Sequence, residues 1–283
     1  MSAGEKPGWG EIATFFLLTF AITWACWIPV AAAVPLASPL AQLLVYVGVF
    51  SPAITALLLT GTRRGAPGVR ALLSRVWPVR VAWRWVVFAL GYLAGVKLVA
   101  ALLHRVVTGH WPRFDASALA LIPFAIAVST PVQAGEELGW RGFALPRLAA
   151  RLGLAPASLL LGLVWATWHL PLFFVRGTDT FGQSFVLYAV QVMAIAAAIA
   201  MLYVRTHAGL FLPMLFHAAV NNTKDIVPSA TPGAHAVFSP AASLLSWLAA
   251  GVLWACTLFI LGWMVRTEAD RRARYPDWIA PAG

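Results

Sequence analysis

Three short polar clusters interrupt otherwise apolar stretches of this 283-residue chain. They are Glu136-Glu137-Leu138-Gly139-Trp140-Arg141, Trp165-Ala166-Thr167-Trp168-His169, and His217-Ala218-Ala219-Val220-Asn221. Glu137 and Arg141 are one helical turn apart with the acid on the N-terminal side, the favourable order for a helical ion pair. Adjacent helical residues point about 100° apart, so Glu136 does not share that pairing easily. One carboxylate is therefore set aside as a structural partner and the other is left free to act. His217 and Asn221 are also one turn apart and present two hydrogen-bond donors on one face. Trp165 and His169 place an aromatic wall beneath an imidazole.

A free carboxylate, a nearby histidine and a donor pair are the parts needed to hydrolyse an amide with water. A carboxylate sheltered from bulk water is a competent general base near neutral pH. An imidazole can position the water or relay its proton. The donor pair would hold the oxyanion of the tetrahedral intermediate, each donor contributing about 2.7–4 kcal/mol. The chain has no nucleophile elbow around Ser or Cys, no HExxH and no CxxC. Plainer roles exist for the same residues. A histidine in a membrane helix often satisfies an interhelical hydrogen bond, and Glu-Glu followed by Arg can anchor a helix end at an interface. Three such clusters, in neighbouring spans at matching depth, favour one shared polar site.

Composition dictates the elements that must position these groups. Apolar residues make up 61% of the chain and charged residues 11%, with mean hydropathy +0.80; a soluble domain carries roughly 25% charged residues. The expectation is an all-α polytopic membrane protein, a single integral membrane domain over 1–283 with about eight transmembrane helices around a polar intramembrane cavity. Eight stretches reach the roughly 20 residues needed to cross hydrocarbon, near 12–34, 41–60, 84–103, 119–141, 156–175, 182–204, 207–226 and 243–265. With the N-terminus inside, fifteen Lys and Arg fall in cytoplasmic segments, Arg147 among them, against four outside, with Lys97 within a span. Both termini are then cytoplasmic, including the tail 267–283. The net charge of +10 thus reads as membrane orientation, and no nucleic-acid partner is expected. Residues 68–77 place Val69, Leu72, Leu73, Val76 and Trp77 at helical spacing with Arg70 and Arg75, the pattern of a basic helix lying on the inner surface, or simply of a positive-inside loop. Cys26 and Cys256 read as small buried hydrophobes. For Glu136 to reach the depth of the histidines, its helix must continue past Arg141 to about Pro146, which puts Arg141 inside the membrane slab, held by Glu137.

The three clusters resemble the signature of the CPBP family of intramembrane proteases, which includes type II CAAX prenyl endopeptidases and bacteriocin-immunity relatives. The family pattern runs EExxxR, then FxxxH, then HxxxN or HxxxB, in that order. This chain has EELGWR at 136–141, WATWH at 165–169 and HAAVN at 217–221, within a catalytic core of about 60–230. The resemblance implies that Glu136 and His169 activate water, that His217 and Asn221 stabilise the oxyanion, and that Glu137 and Arg141 support the site. Trp165 stands where the family pattern has Phe, a larger ring that removes no catalytic group.

The expected activity is endopeptidase cleavage of a membrane-tethered protein, of prenylated CAAX type in one branch of the family, in a bacterial cell membrane. A His₂Glu zinc site of Glu136, His169 and His217 is the alternative to a metal-free mechanism. The metal-free reading is favoured because Asn221, a poor zinc ligand, shares a face with His217, and because no second carboxylate is apparent to orient either imidazole. A non-catalytic immunity or partner-binding protein would keep the fold but show decay of the catalytic set. A proton-coupled transporter would show two related halves, and neither feature is present.

Overall fold

Long apolar runs fold as helices because hydrocarbon offers no partner for an open backbone. The computed structural model describes residues 8–77, 80–115, 117, 119–229 and 236–274, with side chains to Thr267. Among these residues there are helices and turns but no strand. The helices are α1 (Trp9–Ala32), α2 (Pro39–Ser74), α3 (Trp83–Thr108), α4 (Ile122–Ser129), α5 (Ala134–Gly139), α6 (Leu145–Leu152), α7 (Leu154–Trp168), α8 (Phe185–Arg205), α9 (Phe211–Thr223) and α10 (Leu244–Arg274). The protein is an all-α, multi-pass membrane protein.

Six helical segments are long and apolar enough to cross a membrane, and the bent run from α4 to α6 makes a seventh. The eighth stretch read from the sequence, 207–226, forms the shorter α9. Its 13 residues span about 20 Å, less than the roughly 30 Å of hydrocarbon. The loss at its start has a local cause: His207 and Ala208 both have positive φ, 57° and 59°, and turn the chain before the helix can begin. The expected span 119–141 is also broken. Thr130 and the 3₁₀ turn Pro131–Gln133 separate α4 from α5 with a 42° bend, because Pro131 supplies no backbone N–H. Beyond the bend the helix runs on through a π turn, Trp140–Ala144, into α6. In α7, Pro171 converts the last part of the expected span into the 3₁₀ turn Leu170–Phe174. At the other end of the chain α10 stays helical to Arg274, past the expected start of the tail; residues 275–283 of that tail, and Lys6, lie outside the described residues.

The packing order is α1 on α2, α2 on α5, and α6 on α7. Then α7 packs on α8, α8 on α10, α10 on α3, and α3 on α9. Small residues set the closest approaches. A Cβ on Gly162 of α7 would lie 2.7 Å from the Met193 backbone of α8, and one on Gly48 of α2 would fall inside the Trp27 indole of α1. Behind α7, α1 supplies Thr23, whose hydroxyl accepts the Trp168 indole N–H at 2.6 Å. Trp140, Trp168, Trp27 and Phe15 stack in mutual ring contact.

At one end of the bundle the basic residues gather. Arg63 and Arg147 meet Glu11, Arg75 donates to the Tyr203 hydroxyl, and Arg205 lies against Trp85 and Trp263. The short helix expected over 68–77 ends at Ser74, after a kink at Gly65 (φ 60°, ψ −163°) that suits only glycine. Its Leu72 is buried over Gly142, so this face packs on protein.

The α2–α5 contact tolerates no side chain at Gly139, whose Cβ would lie 2.4 Å from Pro52 Cβ and 2.6 Å from its carbonyl oxygen. Gly139→Ala is expected to destabilise the fold by about 1–3 kcal/mol through overpacking. Gly91→Ala, where a Cβ meets open space, is expected to leave stability unchanged or slightly raised. Thermal unfolding of the two variants in detergent checks the contrast.

Candidate active site

The break at Pro131 and the glycines of α5 decide where its two glutamates go. Gly135 lies against Phe50 and the Val49 carbonyl, and Gly139 against Pro52, so the bare side of α5 presses on α2. The opposite side turns Glu136 and Glu137 into the bundle, where they are 5% and 0% exposed. The π turn follows at once, a feature that recurs at functional sites because it breaks the regular helical register.

Glu137 is the most connected acid. Its Oε1 accepts from Arg141 Nη1 at 2.8 Å and from His217 Nδ1 at 2.9 Å. A carboxylate paired with arginine accepts only, so the Nδ1 proton belongs to His217. Arg141 is 1% exposed and its helix continues eleven residues further to Leu152, about 16 Å. Its guanidinium carbon stands 4.5 Å from the Trp165 ring centroid, so the aromatic face stabilises a cation that makes a single hydrogen bond to Glu137.

Glu136 faces a different set. Its Oε2 accepts the Trp165 indole N–H at 2.7 Å, and its other oxygen has no hydrogen-bond partner among the described residues. His169 closes α7, where Pro171 ends the α-helix. Its Nδ1 lies 2.9 Å from the Trp165 carbonyl oxygen, which can only accept, so the neutral ring carries its proton on Nδ1 and keeps a lone pair on Nε2. The His169 ring is edge-on to Trp168 and Tyr188, within electrostatic range of Glu136 and His217. The His217 ring meets Trp165 edge to face at 5.1 Å.

Thus Glu136, Glu137, Arg141 and His217, all buried, and the partly buried His169 fall into one cluster joined through Trp165. Asn221 is placed differently: it is exposed, one turn beyond His217. Its neighbour Asn222 is tied to Ser129 of α4 and to the Ala218 carbonyl.

Residues 116–223, which include all three clusters, match the family model described as type II CAAX prenyl endopeptidase Rce1-like. Residues 116–223 are thus similar to that family. It is also 31% identical over 98 residues to CAAX prenyl protease 2 of Methanococcus maripaludis, a match covering 32% of this chain and 36% of that protein. The chain therefore spans about a third of the length of the curated relative it matches.

The cluster and its surroundings hold several features that the sequence does not announce. One argument against zinc was that no carboxylate stands behind either imidazole; Glu137 stands behind His217, and a backbone carbonyl behind His169. The donor set itself does not close, however. Among the described residues no three His, Cys, Asp or Glu side chains converge in an arrangement that could hold a metal ion. Arg147, counted from the sequence as an inner-loop charge, is buried. It pairs with Glu11 at 3.2 Å and donates to the Phe143 carbonyl at 2.9 Å. Trp165 was read as an aromatic wall, yet its indole N–H is a direct partner of Glu136. The available signal was that a buried indole N–H must find an acceptor.

Removing Arg141 would leave Glu137 buried with only His217 beside it. Arg141→Ala is expected to cost about 3–5 kcal/mol, as for breaking a buried pair from one side. The measurement is a lowered thermal midpoint and a smaller monodisperse fraction in detergent. An Arg141→Ala protein as stable as the parent would mean the pair carries no structural load.

Proposed function

We propose that this protein is an intramembrane endopeptidase in which Glu136 activates a water molecule to hydrolyse a peptide bond of a membrane-tethered substrate. The observation that carries the reading is the uneven use of the Glu136 carboxylate: one oxygen is held by Trp165, and the other has no hydrogen-bond partner among the described residues, in a buried site within electrostatic range of His169. Glu136 accepts a proton from water as the water oxygen attacks the carbonyl carbon. The C–N bond then breaks as that proton passes to the leaving nitrogen, so the hydroxyl ends on the acyl carbon and the carboxylate is regenerated. The lone pair on His169 Nε2 orients the attacking water.

His217 and Asn221 stabilise the oxyanion. The contact of its Nδ1 with Glu137 Oε1 fixes the orientation of the His217 ring.

One feature supports the substrate class: the matching relative is named a CAAX prenyl protease. A prenylated CAAX-type protein tail is therefore the proposed substrate, with the bilayer as the second partner. The gathering of basic side chains at one end of the bundle supports an orientation with both termini cytoplasmic. No step here uses a metal.

Purified Glu136→Gln protein in vesicles is expected to stay folded and to lose cleavage of a farnesylated CAAX peptide by at least about a thousandfold, in line with removal of a general base; turnover near the parental rate would remove the assignment. Cleavage is also expected to survive incubation with 1,10-phenanthroline. Inhibition reversed by added zinc would transfer the chemistry to a metal.

A further inference from the structure

Trp165 occupies an unusual position among the buried groups. Its indole N–H binds Glu136 Oε2 at 2.7 Å, its carbonyl accepts from His169 Nδ1 at 2.9 Å, its ring face carries the Arg141 guanidinium at 4.5 Å, and the ring meets His217 edge to face at 5.1 Å. One residue therefore touches Glu136, Arg141 and both imidazoles. It is itself 3% exposed, and Trp140 and Trp168 with Phe15 and Trp27 pack the adjoining wall.

We propose that Trp165 is the positioning residue of the proposed general base, fixing through its indole N–H which oxygen of Glu136 meets water. This rests on the endopeptidase reading above. A carboxylate has two nearly equivalent oxygens and rotates about its last torsion. A single N–H held in a rigid ring removes that freedom: Oε2 is occupied and Oε1 is presented. Phenylalanine, which the motif resemblance would place at this position, fills the wall but has no proton to donate. Its use here would leave Oε2 of a buried carboxylate unpartnered, so this chain's tryptophan adds an interaction that the pattern FxxxH does not contain.

The charged and titratable groups within electrostatic range of Glu136 are Arg141 from its own helix, His169 from α7 and Tyr188 from α8, with Glu137 beside it and His217 of α9 bound to Glu137. Trp165→Phe keeps an aromatic ring beside Arg141 and His217 and keeps the carbonyl that His169 contacts, so the Glu136 carboxylate band reports the lost N–H.

The test uses the full chain in vesicles, with the parent, Trp165→Phe and Glu136→Gln compared. With glutamate labelled by carbon-13, the carboxylate stretch that disappears in Glu136→Gln identifies Glu136 in the infrared spectrum. That band is expected to shift in Trp165→Phe, with the thermal midpoint still that of a folded protein. On the farnesylated CAAX peptide, Trp165→Phe is expected to lower kcat on the order of tenfold, from misplacement of the base, with KM within about twofold. An unmoved Glu136 band, or a kcat equal to that of the parent, overturns the proposal. If the parent cleaves no such peptide, the endopeptidase reading falls while the infrared comparison still decides whether Trp165 holds Glu136.

Discussion

A carboxylate fully withdrawn from water in a membrane bundle is tolerated only with partners, and Glu137 is the clearest case in this protein. Taking one ion out of water costs several kcal/mol even after the surroundings relax. Glu137 offsets this by accepting from Arg141 one turn along its own helix and from His217 on α9. The pair is therefore also a tertiary link. It fastens α9, too short to span the bilayer alone, to the irregular helix that carries both glutamates. Arg141 completes the arrangement by lying on the Trp165 ring, which draws α7 into the same knot. Three helices are held at one depth by a single charge that cannot be left unpaired.

Backbone irregularity is the means by which these helices meet. A straight helix from 119 to 152 would carry its glutamates past the bundle along a line. The proline break before α5 and the π turn after it change the direction and register of the chain on either side of Glu136 and Glu137. Non-helical backbone at this depth is stable only where protein covers it, and here α2 does so, pressed close by the missing side chains of Gly135 and Gly139. Glycine, proline and the paired charges are thus parts of one solution: the glycines bring α2 near enough to shield the irregular turn, and that turn aims the acids inward.

Much of this was legible in the sequence because its causes are local or periodic. Apolar run length located the spans, and the four-residue separation of Glu137 and Arg141 marked two residues that lie 2.8 Å apart in the fold. What escaped was set by contacts between distant segments. The pairing of Glu137 with His217 joins residues eighty positions apart. Arg147 looked like a loop charge because its partner, Glu11, lies near the start of the chain. The shortening of α9 follows from a two-residue left-handed turn at His207 and Ala208, which neither residue type advertises. The indole N–H of Trp165 was present in the sequence, but only the fold reveals which acceptor it meets.

Adjacent glutamates placed in unlike surroundings are how one helix can serve two purposes. Glu137 has an arginine and a histidine on a single oxygen, so moving its proton would disturb a network that spans three helices. Glu136 has only a neutral N–H on one oxygen and none of the described residues on the other. Pairs of titratable groups whose environments diverge in this way are the structural basis on which the proposed mechanism divides their labour. The two histidines diverge along the same line: His217 is oriented by a carboxylate and His169 by a backbone carbonyl.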